Sequence, residues 1–254
     1  MRGLIFGGLF INVLLFSIYS KGQSKDSTLV LKSLFTLTNN GFAIVPAFSL
    51  GKPAFLFDLT IANKRFSFEP QFRYSVINSK PWIFNFNFRY KLLTNAKTNL
   101  MVGAYLPALN FVERSVELNG VLQTMQTVRR FLSGELLINQ QITKKSTITL
   151  YYLHGHGFQN DGPRNINYLA LRLAFQKIKL YKRLYAEFNP QLYYLIINES
   201  SGVYINETVL FGVRSFPIFI SSTINKTVQS KINARDFDWN ISVTYSFKRT
   251  YVIK

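Results

Sequence analysis

Two histidines occur in the 254 residues, at His154 and His156, within Tyr151-Tyr152-Leu153-His154-Gly155-His156-Gly157-Phe158. In an extended chain, side chains alternate between faces, so both imidazoles share a side with Ile148, Leu150 and Tyr152. In the following stretch Asn167 shares a face with Leu169, Leu171, Leu173 and Phe175. A hairpin of the two segments lets His154 and Asn167 meet. No serine lies between Ser146 and Glu199. Histidines at this spacing can also hold a metal ion from one face. With zero cysteines and no adjoining carboxylate cluster, neither a metal nor a cofactor is expected, and a rim histidine pair at an interface is the plainer reading.

A second set of residues is charged and recurs on the polar side of alternating segments: Arg65, Arg73, Arg89, Arg172 and Arg214, with Glu69, Glu135, Glu187 and Asp238. If these line a lumen, the cationic excess favours anions. If they pair across it, they fill it.

Strands must position both sets. In 82–92 the even residues are Trp82, Phe84, Phe86, Phe88, Tyr90 and Leu92, while the odd ones include Asn85, Asn87, Arg89 and Lys91. The same alternation runs through 65–76, 184–196 and 237–247. A soluble sandwich or lipocalin-like barrel alternates too. Here one face is aromatic on strand after strand and the other carries charge in mid-strand. The segments run about 9–15 residues, long enough to cross a bilayer at a tilt. The fold expected is all-β: a transmembrane, antiparallel up-and-down β-barrel of about twelve strands, apolar toward lipid and polar toward a lumen.

The strands are expected at 42–50, 54–61, 65–77, 82–93, 98–112, 126–142, 146–158, 165–179, 183–197, 203–214, 217–227 and 237–248. Segment 29–38 is strand-like as well. A thirteenth strand would break the even count that leaves both termini in the periplasm, so 23–41 is assigned as a periplasmic or lumenal segment. The barrel then spans 42–248 and 249–254 is a periplasmic tail. Short connections at 62–64, 94–97, 143–145, 180–182 and 215–216 read as periplasmic turns, and longer ones as outer loops. Asn119-Gly120 is a type I′ hairpin signal that carries the fifth and sixth strands past the membrane. Pro46, Pro70, Pro107 and Pro190 fall inside strand patterns and suggest bulges. Trp82, Tyr90, Trp239 and Tyr245 lie near strand ends, as interfacial girdle residues do.

Residues 1–22 read as a secretory signal, with Arg2 before an apolar run and a small-residue cleavage site near Gly22-Gln23. Absence of cysteine excludes a disulfide scaffold and a lipidated amino terminus. Lys and Arg number 30 against 12 acids, a formal charge of +18. They are scattered without a basic helix or nucleic-acid motif, so no nucleic-acid partner is expected. The turns expected on the periplasmic side are basic, with Lys64, Lys97, Lys144, Lys145, Lys182 and Arg183, and suit anionic headgroups or an acidic periplasmic partner.

Three resemblances add to this. The His154 and Asn167 placement resembles outer-membrane phospholipase A, a twelve-stranded barrel with a lipid-facing His, a Ser two residues later and an orienting Asn. By that resemblance His154 would be the base and Asn167 the orienter, with His156 in place of the serine. Ile241-Ser-Val-Thr-Tyr245-Ser-Phe247 resembles the carboxyl-terminal signal read by the barrel-assembly machinery, although 248–254 follow it. The chain as a whole resembles porin-like outer-membrane barrels of Gram-negative bacteria. That resemblance implies residence in the bacterial outer membrane, with its lipid and lipopolysaccharide as surroundings. The expected function is a passive channel with a weakly anion-favouring lumen. The alternatives are an occluded scaffolding barrel and, disfavoured by the missing serine, an enzyme acting on lipid.

Overall fold

Each strand of this chain has one apolar and one polar face, and a sheet closed on itself satisfies both while leaving no unpaired edge. The computed structural model describes residues 27–43, 48–118 and 121–253. The expected signal segment 1–22, its cleavage site and the Asn119-Gly120 turn lie outside the described residues. Twelve strands form: β1 (Ser27–Thr38), β2 (Ala54–Ala62), β3 (Phe66–Ser75), β4 (Pro81–Thr94), β5 (Thr98–Leu118), β6 (Val121–Thr143), β7 (Ser146–Gly157), β8 (Asn165–Tyr181), β9 (Leu184–Ile197), β10 (Ser200–Val213), β11 (Ile218–Ser230) and β12 (Phe237–Ile253). Each pairs antiparallel with its chain neighbours, and β1 closes on β12. No helix occurs among the described residues.

The count of twelve agrees with expectation, but its membership differs at both ends. Segment 27–38, expected outside the barrel, is β1; it pairs along its whole length with β12, from Ser27↔Ile253 to Thr38↔Ser242. Thr36 Oγ1 and Thr244 Oγ1 meet at 2.8 Å on the inner face of this seam. Residues 42–50 are not the first strand: 42–43 and 48–50 carry no strand structure. The residues 249–253, expected as a tail, continue β12 because β1 supplies their partners. The physical reason is the same at both ends, since β12 presents a second edge that only β1 can cover.

Alternation sets the exterior. An aromatic band crosses six strands there: Tyr245 (β12), Phe35 (β1), Phe57 (β2), Phe72 (β3), Phe84 (β4) and Phe111 (β5), with successive centroids 4.7–6.4 Å apart. Rings beside rings fit this surface because cross-strand pairs stand close enough to touch. Pro107 lies in a bulge between Tyr105 and Ala108, as expected for a proline in a ladder. Pro70 and Pro190 stay in register with Phe86 and Glu207. Pairing of β4 with β5 ends at Ile83↔Asn110, and that of β6 with β7 at Phe131↔Gly157. Beyond those pairs β5 and β6 continue the ladder only with each other, forming a ribbon that projects past the rim. Lys80 Nζ holds Glu113 Oε1 at 2.6 Å at its base and keeps that carboxyl below its usual range.

One acid lies on the apolar side. Glu207 of β10 alternates with Ile205, Val209 and Phe211 on the exterior, opposite Pro190 and Ile224, and its Oε1 has no partner. A carboxyl facing hydrocarbon is unfavourable. Glu207→Leu is therefore expected to stabilise the barrel by about 1–2 kcal/mol, read as a higher midpoint in urea unfolding from lipid vesicles.

Candidate functional site in the barrel lumen

The inner wall is sorted into tiers by strand register. From β5 to β12 one tier reads Asn99, Asn139, Thr149, Arg172, Gln191, Asn206, Asn225 and Asp238, each beside the next. All are polar and Arg172 is the single cation. The tier one step toward the long loops reads Met101, Leu137, Tyr151, Ala170, Tyr193 and Tyr204. With Tyr168 it forms a tyrosine ladder, whose centroids lie 5.6 Å (Tyr151–Tyr168), 5.1 Å (Tyr168–Tyr193) and 4.9 Å (Tyr193–Tyr204) apart. The hydroxyls are satisfied: Tyr193 donates to Asn225 Oδ1 at 2.8 Å, Tyr204 meets Ser230 Oγ at 2.7 Å, and Tyr168 accepts from Gln191. Along β6 to β10, amide and hydroxyl groups thus lie toward the short turns and the tyrosine rings lie toward the loops.

A charged network adjoins the ladder at Tyr151. Arg89 Nη1 lies 2.5 Å from Glu69 Oε2, while its Nε and Nη2 donate to Glu135. The side chain of Glu135 is fully buried and also accepts from Tyr151 Oη at 2.7 Å and Asn87 Nδ2 at 3.2 Å. Gly103 permits this approach, because a Cβ there would lie 2.5 Å from Glu135 Oε1 and 2.9 Å from Arg89 Cγ. Arg73 Nη2 pairs with Asp58 Oδ1 at 2.6 Å. Arg172 differs. Its guanidinium lies 4.3 Å over the Tyr151 ring, it has no carboxylate partner among the described residues, and its Nε is buried without an acceptor.

Phe42 and Phe48, in the connection between β1 and β2, enter the lumen. The Phe48 ring packs on Phe131 at 5.4 Å, and its carbonyl accepts from Trp82 Nε1 at 2.7 Å. This corrects the girdle assignment of Trp82. A bulge opposite Arg73 and Tyr74 turns Trp82 inward beside Ile83, leaving it 5% exposed. Two cavities lie beside these residues. One of about 390 Å³ is lined by Phe42, Phe48, Trp82, Arg89, Phe131 and Tyr168, among others, and a second of about 370 Å³ by Thr149, Asn189, Gln191, Asn206 and Thr208. Phe42 and Arg172 line both.

The other expected site residues divide. Glu69, Arg73, Arg89, Glu135 and Arg172 converge on the lumen as above. Glu187 faces inward opposite Leu210, toward the short turns. Asp238 is buried on the inner face and bonded to Arg235 at 3.3 Å. Arg65 and Arg214 are not lumenal. Both lie in turns, and the Arg65 guanidinium donates to Tyr90 Oη on the outer surface at 3.2 Å. Tyr90, Trp239 and Tyr245 are exposed on the outside. Sequence reading did not see the tyrosine ladder or the infolded loop. Parity shows each tyrosine facing inward but not that they share one level.

Outside the barrel, His154 Nδ1 lies 2.9 Å from Asn167 Oδ1, which also accepts from Tyr152 Oη at 2.9 Å, and His156 Nδ1 lies 3.2 Å from Asn165 Oδ1. Base and orienter thus meet, and no hydroxyl nucleophile stands at the position two residues on. Among the described residues no group of three or more metal-ligating side chains occurs.

No family model matches the chain, and no curated protein matches it. Among solved structures it is similar to the KdgM porin in complex with disordered oligogalacturonate, with TM-score 0.52 and 9% identity over 86% of this chain and 99% of that one. It is also similar to the COG4313 outer-membrane channel from Pseudomonas putida F1, with TM-score 0.47 and 10% identity over 92% and 98% of the two chains. The fold is that of an outer-membrane barrel. Nothing in these comparisons supports the phospholipase resemblance.

Removing Arg89 leaves Glu135 buried with one fewer ionic partner. Arg89→Ala is expected to destabilise the barrel by about 3–5 kcal/mol, and Arg73→Ala by clearly less, since both members of its pair are partly solvated. Urea unfolding of the two variants side by side checks the order.

Proposed function

We propose that this protein resides in the bacterial outer membrane and acts as a passive, porin-like channel with a weak preference for small anions, not as an enzyme. The observation that carries the reading is Arg172, a lumenal guanidinium over Tyr151 with no carboxylate, in the wall shared by both cavities. The other two central guanidiniums are neutralised by Asp58, Glu69 and Glu135. An unpaired cation in a narrow, low-dielectric passage attracts anions and repels cations. The resembling KdgM porin is described in complex with oligogalacturonate, a polyanion, which accords with this reading. Basic turns at Lys64, Lys97, Lys144, Lys145 and Lys182 would face the periplasm and offer a surface to an acidic partner; lipopolysaccharide and outer-membrane lipid would contact the aromatic belt, and the barrel-assembly machinery would insert the chain.

A second reading is a barrel that is occluded and structural. The infolded Phe42 and Phe48 favour it, since they occupy the loop-side lumen. Planar bilayers separate the two. A channel gives discrete conductance steps with an anion-directed reversal potential, and Arg172→Ala moves that potential toward the cation side while folding is retained. A silent barrel at high protein density overturns the channel reading and leaves the structural one. Phospholipid turnover is expected to be absent in wild type and in His154→Ala alike; turnover lost only in the variant would overturn the non-enzymatic reading.

A further inference from the structure

We infer that His154 and His156 form a binding site for one divalent transition-metal ion on the outer surface of the barrel, at its loop-side rim. The inference does not depend on whether the lumen conducts.

Both imidazoles are exposed on one face of β7, two residues apart. The sequence leaves open which ring nitrogen of each is available, and the structure decides it. His154 Nδ1 lies 2.9 Å from Asn167 Oδ1, and His156 Nδ1 lies 3.2 Å from Asn165 Oδ1. A carboxamide oxygen only accepts, so each Nδ1 carries the proton and each Nε2 keeps its lone pair. An imidazole that donates one N–H to an oxygen is the form in which histidine binds a metal through its other nitrogen. Register places both acceptors, since His154↔Asn167 and His156↔Asn165 are cross-strand pairs of β7 and β8. Tyr152 Oη donates to the same Asn167 oxygen at 2.9 Å and holds it in place.

The surroundings leave room for an ion. Gly134 of β6 stands opposite His154, and a Cβ there would meet nothing within 4 Å. On the loop side the Phe158 ring bounds His156, edge-on with centroids 5.5 Å apart. His156 is the last residue but one of β7, and Asn165 is the first of β8. The pair therefore sits where strands give way to loops, and water can fill the remaining coordination positions. Side chains two apart on a strand have Cβ atoms about 6–7 Å apart. A lean of each ring toward the other brings both Nε2 atoms to the ~2.0–2.1 Å that a metal–nitrogen bond needs. Nitrogen donors select Cu²⁺, Ni²⁺ or Zn²⁺ over Ca²⁺ and Mg²⁺, which take oxygen. With two protein ligands the site is open, suited to reversible capture of an ion from solvent on the loop side.

The test uses the full barrel folded in detergent and carrying no polyhistidine tag. The chain has two histidines and no cysteine, so competing nitrogen and sulfur ligands are few. Calorimetric titration with Cu²⁺ is expected to give one ion per barrel, and the electron paramagnetic resonance spectrum to show two nitrogen ligands. His154→Ala and His156→Ala should each weaken binding at least about tenfold and leave a single nitrogen. Asn167→Ala should weaken it about tenfold, and Asn167→Asp, which still offers an oxygen, should restore it. Affinity should fall as the imidazoles protonate, below about pH 6.5. Retained heat-modifiable migration shows that the variants are folded. Binding unchanged in a variant lacking both histidines, or a wild-type spectrum with one nitrogen, overturns the site. Displacement of Cu²⁺ by equimolar Ca²⁺ marks oxygen ligands and overturns it too. Full affinity and an unshifted pH profile in Asn167→Ala overturn the orienting role of the carboxamide.

Discussion

Hydrocarbon cannot solvate a peptide group, and this constraint organises the molecule. Every strand that crosses must find partners on both sides, and the only arrangement that supplies them to the last strand is a closed sheet. The β1–β12 seam is where that requirement is met. Ser27 to Thr38 are strand-like, with Ser33 breaking the apolar face and Lys32 on the inner one, and they pair at every position with β12. Closure also sets the strand ends, since β12 runs on to Ile253 for as long as β1 provides bonds.

Closure with a tilt has a second consequence. Residues that stand side by side around the wall come from unrelated points in the sequence. Asn139, Thr149, Arg172, Gln191 and Asn206 form one polar level, and Leu137, Tyr151, Ala170, Tyr193 and Tyr204 the level beside it. The lumen is thus graded along its axis. Aromatic packing against Phe48 and Phe131 lies toward the loops, and amide and hydroxyl groups lie toward the short turns.

Charge within the lumen is mostly spent on structure. Arg73 and Arg89 are bound to Asp58, Glu69 and Glu135, which ties β2, β3, β4 and β6 together across the interior. Pairing of this kind neutralises field as well as holding geometry, so a count of lumenal cations overstates the pull on an anion. Arg172 stands apart in lying over the Tyr151 ring with no carboxylate partner among the described residues. On the outer surface the Asn167 and Asn165 oxygens lie against both imidazoles, and Tyr152 Oη shares the Asn167 oxygen.

Much of this was legible in the sequence because a strand's side-chain period is two, a local property. Alternation alone placed Phe84 and Leu192 outside and Glu135 and Arg172 inside, and it allowed His154 to meet Asn167 across an outer loop. It failed wherever long-range pairing decided. Whether 27–38 or 42–50 joins the barrel depends on what β12 needs, more than two hundred residues away. Trp82 points inward because a bulge against β3 breaks the count, and Arg65 leaves the lumen because Tyr90 draws it outward. Parity gives each residue a face, whereas only register gives it a height. The tyrosine ladder, the neutralised arginines and the solitary Arg172 are all facts about height, fixed by hydrogen bonds between strands that the sequence does not place next to one another.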